Sequence, residues 1–221
     1  MAGQVFQLPD FDFFDWDDDD FVASPRDGNP GIRVYIVPTR PVAVDEHTRN
    51  RANAIYASIE FVHLYCEIKQ DRDFLIEVFP QEVEFPEVGP NSKLEWCNFC
   101  LGSRLCTRIY NEGYEEPGRA MAGHSPLLSI VVHLDQDALF MLLKYLHEWF
   151  LSIGMEDSLG GWLYAVLACI RLPLAEGVGA AIATLYNDCE ERLKFCNDPS
   201  ERKRLYQFCA IFDVHFHNHL N

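Results

Sequence analysis

The sequence predicts an all-α protein, a helical bundle domain with an extended or disordered acidic arm at its N-terminus. Three observations carry that prediction. Every strong apolar pattern after Asp45 repeats with helical period. The first stretch of chain sets aromatic rings among aspartates and holds too much charge of one sign to collapse on itself. Prolines crowd the region after residue 79, at a density no helix survives. The expected division is an acidic tail at 1–30, an extended segment plus a long helix at 31–79, a Pro- and Glu-rich linker at 80–92, and the bundle at 93–221. With 221 residues the chain is long enough to bury a real core.

The tail holds Asp10, Asp12, Asp15, Asp17, Asp18, Asp19, Asp20 and Asp27 against Arg26, interleaved with Phe11, Phe13, Phe14, Trp16 and Phe21. Its charge makes it a solvated segment when alone. The rings exceed what solubility requires, so the tail is expected to fold onto a basic, partly apolar surface of a partner. Residues 32–37, Ile-Arg-Val-Tyr-Ile-Val, are β-branched and aromatic between Gly31 and Pro38, and read as one short strand or extended segment. Such a segment either packs on the bundle as an arm or pairs with a sheet edge of another protein. From Asp45, a candidate cap, Ala52, Ile55, Tyr56, Ile59, His63 and Cys66 recur at helical spacing. They predict a helix to about Gln70 with that stripe as its apolar face, and His63 on it as a core or boundary histidine.

Beyond the linker, Trp96, Phe99 and Cys100 fit one apolar helix stripe. Cys97 and Cys100 also make a C-x-x-C, to which Cys106 could add a third thiolate. A structural zinc needs four ligands and no second pair follows at finger spacing, so packing is the preferred reading and no metal or cofactor is expected. Next, Leu139, Leu142, Leu143, Leu146, Trp149 and Phe150 form a single stripe with Asp137, Lys144 and Glu148 off it. Asp135 is placed to cap this helix and Gly154 to end it.

Residues 162–170 are apolar all round, which marks the central helix. The run is shorter than the roughly twenty residues a bilayer span requires, and Pro173 disfavours extending it beyond Leu172. Residues 175–195 predict a helix with Val178, Ile182, Leu185, Tyr186, Cys189 and Leu193 inward. Gly177-Val-Gly179 follows no strand and has Ile182 where a dinucleotide fingerprint needs a small residue, so its glycines are expected to allow close packing. The last helix begins at Asp198, with Pro199 in the first turn and Glu201 placed for a box-like cap. Leu205, Phe208, Cys209, Phe212 and Phe216 are its stripe. His215, His217 and His219 alternate, so on a helix one metal cannot take all three.

Several literal strings go beyond periodicity. Pro126-Leu-Leu-Ser-Ile-Val131, Leu143-x-Tyr145-Leu146-x-x-Trp149-Phe150, Trp162-Leu-Tyr-Ala-x-Leu-Ala168 and Pro173-Leu174 resemble the SMN-interacting protein family in order and spacing. Trp96, Phe99, Cys100, Leu101, Gly102, Leu105 and Cys106 resemble it again. The resemblance implies a non-enzymatic scaffold of the survival-motor-neuron complex, found in cytoplasm and nucleus. Its implied partners are the survival-motor-neuron protein and the Sm proteins, held while the Sm core is assembled on spliceosomal small nuclear RNA. It also implies a helix-in-groove contact with the survival-motor-neuron protein, expected at Trp149, Trp162, Tyr164 and Leu167. The tail is similar in place and charge to the family's N-terminal segment, which threads toward the RNA-binding pocket of the Sm assembly. Phe11, Asp12, Phe13, Phe14, Asp15, Trp16, Asp17, Asp18, Asp19 and Asp20 are then expected to mimic RNA there.

Composition agrees from its own side. The formal net charge of −16 repels phosphate backbones, so a basic protein partner is the natural complement and direct sequence-specific nucleic-acid binding is not expected. No leading run has the charged-then-apolar pattern of a signal peptide, which predicts a protein that stays inside the cell, off the membrane, with its 8 cysteines as thiols. No nucleophile elbow, phosphate loop or zinc-protease helix is present in the sequence to suggest an enzyme. The alternative is a helical adaptor unrelated to snRNP assembly, zinc-binding through Cys97, Cys100 and Cys106 or otherwise.

Overall fold

The computed structural model describes residues 45–89, 92–111 and 122–219; the acidic tail and the segment at 32–37 lie outside them. Among the described residues there is no strand. The helices are α1 (Glu46–Val78), α2 (Lys93–Tyr110), α3 (Leu128–Val131), α4 (Gln136–Ile153), α5 (Asp157–Cys169), α6 (Val178–Phe195) and α7 (Pro199–Ile211). A π turn (Phe212–Phe216) and one further tight turn (His217–His219) follow α7.

α5 is the centre. Leu159, Gly160 and residues 162–169 are all buried, and α1, α2, α3 and α4 pack around them. An all-apolar run can have no face to water, and from Trp162 to Cys169 this helix has none. α4 buries Leu139, Leu142, Leu143, Leu146, Trp149 and Phe150, with Asp135 accepting from the Ala138 N–H at 2.7 Å. Gly154 ends it at φ 83, where a Cβ would also run into Arg192 and Glu201.

α7 starts as its residues dictate, with Asp198 accepting from the Ser200 and Glu201 N–H groups and Pro199 in the first turn. Glu201 does not complete the box. Its Oε1 accepts from the Met155 N–H at 2.7 Å and from Arg192 Nε–H at 2.5 Å, tying the start of α7 to the ends of α4 and α6. Burial pushes this carboxyl up, and the bonds from Arg192, Met155 and Cys196 outweigh that and hold it below the usual range. Gly177 differs from expectation too. It is the cap of α6 at φ 80, so its conformation and not close packing requires glycine, whereas a Cβ on Gly179 would stand 3.2 Å from the His219 carbonyl oxygen.

Two larger differences concern the first half of the chain. The region after α1 is not a free linker: Val83 and Phe85 pack on the core, Phe85 stacks on Trp96, and the Glu87 and Gly89 carbonyls accept from Trp96 Nε1–H and Tyr145 O–H. α1 runs on past Gln70 to Val78 and belongs to the bundle, packed along α7 and α5. Arg72 clamps its far half by donating to the Val132 and Leu134 carbonyls at 2.7 and 2.6 Å.

Candidate protein-docking site

α1 has two apolar faces, and the one turned inward is not the one its spacing first suggests. Ala54, Ser58, Phe61, Tyr65 and Ile68 are buried, Ala54 against Tyr206 and Ala210 of α7. Ala54 and Ser58 carry no large side chain to hold α7 away. Phe61 meets Tyr164 edge-on at 5.1 Å, and the Tyr65 hydroxyl accepts from the Leu172 N–H at 3.1 Å. His215 fits between Phe61, Tyr65 and Phe216, and burial pushes its imidazole down to about 4. His217 and His219 stay exposed.

The expected core stripe is instead the outward face. Ala52, Ile55, Tyr56, Ile59, His63 and Cys66 are all exposed, Tyr56 at 72%. At about 100° per residue they lie on the opposite side of the helix from the buried set. Ala52, Tyr56, Ile59, His63 and Cys66 follow one another in alternating steps of four and three. That is the repeat by which one helix presents a seam to another. The seam is about 21 Å long and is closed off by Gln70, Asp73 and Glu77 beyond it.

Trp149, Trp162, Tyr164 and Leu167, the residues expected to receive a partner helix, are 1, 0, 2 and 0% exposed. This corrects the expectation. α1 itself lies over Tyr164, Trp149 Nε1–H donates to the Tyr110 hydroxyl at 2.9 Å, and Trp162 Nε1–H reaches the Cys100 and His124 carbonyls at 3.0 and 2.9 Å. Core and interface stripes have the same period, and these four are core in this chain.

The bonds of Trp162 explain the middle block. α2 breaks at Gly102, φ 77 and ψ 168, and around the break the Phe99 and Cys100 carbonyls accept from outside the helix, from the His124 N–H and the Trp162 indole. Only a residue without a Cβ holds that backbone cheaply. Trp96, Cys100, Leu101, Gly102 and Cys106 are buried and Phe99 is half-buried between Phe85, Trp96 and Trp162. Burial pushes the Cys97 and Cys100 thiols well above the usual range, so they are protonated rather than ready as thiolates. Among the described residues no group of three or more His, Cys, Asp or Glu is arranged to hold a metal ion. Nor is any helix among them long and apolar enough to cross a membrane.

Residues 66–218 match the family model of survival motor neuron (SMN) interacting protein 1. The chain belongs to this family. Gem-associated protein 2 of Mus musculus is 36% identical over 117 residues, 50% of this chain and 44% of the mouse one. The Xenopus laevis protein of the same name is 37% identical over 101 residues, 43% of this chain and 39% of its own, and that of Drosophila melanogaster 34% over 70 residues. Each match takes in less than half of the relative's own length. A chain in a solved structure titled "The 8S snRNP Assembly Intermediate" superposes with a TM-score of 0.45 at 19% identity, over 89% of this chain and 84% of that one, too loosely to argue from. The SMN interacting protein 1 match takes in the Gly102 break and the whole α4–α5 core, and it begins at Cys66, where the α1 seam ends. The seam residues Ala52, Ile55, Tyr56, Ile59 and His63 therefore lie outside it.

The exposure of this apolar seam, and the node joining Glu201 to Arg192 and Met155, were missed by sequence reasoning. One signal for the first was available: Ala54, Ser58, Phe61, Tyr65 and Ile68 form a second helical stripe on α1. A helix with two stripes covers at most one with its own core unless it is central.

Proposed function

We propose that the chain is a non-enzymatic scaffold of the survival-motor-neuron complex, binding the survival-motor-neuron protein and Sm proteins while the Sm core is assembled on spliceosomal small nuclear RNA. Family membership over residues 66–218 carries the reading, since that family is named for interaction with SMN. The seam on α1 supports a helix as the partner element: it is apolar, exposed and spaced for an amphipathic helix of about four turns. The survival-motor-neuron helix docks there, on Tyr56 and Ile59, and not on the buried aromatics of α4 and α5. The net charge of −16 suits basic Sm partners and disfavours RNA itself. The tail serves as the RNA mimic, its aspartates standing for phosphates and its rings for stacked bases. The protein works in the cytoplasm and the nucleus.

Co-purification tests this directly. The chain is expected to be retained by the tagged N-terminal region of the survival-motor-neuron protein and by tagged Sm proteins; retention by neither overturns the proposal. Deleting residues 1–30 is expected to raise uptake of non-cognate RNA by the scaffold-bound Sm proteins, and unchanged uptake removes the mimic role.

A further inference from the structure

Between the end of α4 and the second half of α6 the surface holds an open groove of about 440 Å³. Asp188, Glu191, Arg192 and Phe195 stand at i, i+3, i+4 and i+7, so a single stripe of α6 makes one wall. Phe150 and Leu151 of α4 line the other side, Phe150 fully buried and Leu151 58% exposed. Phe195 is 74% exposed, as open to water as Tyr56 on the α1 seam. Single exposed apolar side chains are ordinary; two on the rim of one groove, set among charged neighbours, mark a contact surface.

Charge decides what fits there. Asp188, Glu191 and Glu201 line the groove against the one guanidinium of Arg192. Arg192 stands four residues after Asp188, the spacing of a favourable helix pair, yet it donates to Glu201 and lies over the Phe150 ring, 5.8 Å from its centroid. It is thus taken up inside. Asp188 Oδ2 pairs with His147 Nε2 at 2.6 Å and keeps 34% of its side chain exposed. Glu191 meets Lys194 at 3.1 Å with both side chains 64% exposed, a pair that solvent screens and a better partner displaces. Two carboxylates one turn apart therefore face outward beside an open aromatic ring. We propose that this groove binds an arginine of a partner protein together with an apolar side chain two residues away from it. A planar guanidinium reaches two carboxylates at once and lies flat on a ring, whereas a lysine ammonium is a hydrated point charge. From Asp188 to Phe195 is about 10 Å along α6, the length of three extended residues, whose first and third side chains share a face. One carries the guanidinium to Asp188 and Glu191, the other covers Leu151, and the Phe195 ring lies between them. The site is too short for a helix of the kind that fits the α1 seam, so its occupant is an extended segment.

The test titrates the whole chain, at physiological salt, with a short blocked peptide that carries leucine and arginine two residues apart, and follows backbone amide shifts by NMR. Saturable shifts are expected around residues 147–151 and 188–197. Half-saturation is expected at a concentration at least about tenfold lower than for the same peptide with citrulline or lysine in place of arginine. Glu191→Gln and Phe195→Ser change exposed side chains, so each should leave the thermal midpoint unchanged while raising the half-saturation concentration at least about fivefold. Equal saturation by the citrulline or lysine peptide overturns the proposal. So do shifts spread over the acidic surface at large, or shifts that persist at full strength in a chain carrying both substitutions, because either would mean a general attraction to the net charge of −16.

Discussion

α5 and α1 are both rich in apolar residues, yet they differ in what those residues are for. Beyond its first turn α5 is apolar on all sides, and from Trp162 to Cys169 all sides are filled by its own chain. α1 carries two stripes half a turn apart, of which one is core and one faces water. On α1 the side chains that hold the fold and those left open to a partner thus lie on opposite faces of a single helix, whereas the buried side chains of α5 leave no such open face.

The largest expected effects come from breaking the buried side of that comparison. Trp162→Ala removes a fully buried ring and the donor that satisfies two carbonyls, and Phe61→Ala opens α1 from α5; each should cost about 3–5 kcal/mol in urea denaturation. A loss for Phe61→Ala as small as that of a surface change would mean that α1 is not part of the core. Next in size is the exposed side. Tyr56→Ala should weaken binding of the survival-motor-neuron N-terminal helix by about 2 kcal/mol or more while leaving stability within about 0.5 kcal/mol. Calorimetric titration beside a thermal melt reads both.

A pH series probes the buried side of that comparison, where His215 packs against Phe61 and Tyr65 of α1. Burial, with His219 and Lys69 adding repulsion, lowers the His215 pKa to about 4, against roughly 6.5 in an unfolded chain. Its neutral form fits the fold, so its contribution is fully present above about pH 6.5 and is lost as the pH falls toward about 4. The fall in unfolding free energy over that window should be smaller in a His215→Phe chain than in the unaltered one. Equal slopes in the two would remove His215 as the cause. The smallest effect is at a cap away from both faces: Asp135→Ala should cost about 1 kcal/mol and leave partner binding alone.

Much of the fold was legible because it rests on local chemistry. Asp45, Asp135 and Asp198 cap where their place at the start of a helical pattern predicts, Asp198 with Pro199 beside it, and residues 162–170 announce a helix without a solvent face. The site was legible only in kind. Both stripes of α1 have helical spacing, and nothing local says which one meets α7; that is decided by where Ala54 and Ser58 let another helix approach. The same ambiguity misled for Trp149, Trp162, Tyr164 and Leu167, whose burial depends on α1 and α2 arriving from elsewhere in the chain. Glu201 shows the limit from the polar side, since its partners Arg192 and Met155 come from other elements and no capping pattern can name them.

The central claim is that the outward face of α1 binds and does not hold the fold. The most direct test pairs an Ile59→Asp chain with the unaltered one, measuring affinity for the survival-motor-neuron N-terminal segment and the midpoint of thermal unfolding on the same preparations. The account predicts an unchanged midpoint with binding weakened by at least about thirtyfold. Full binding by the Ile59→Asp chain, or a loss of binding that appears only together with a lowered midpoint, would contradict it.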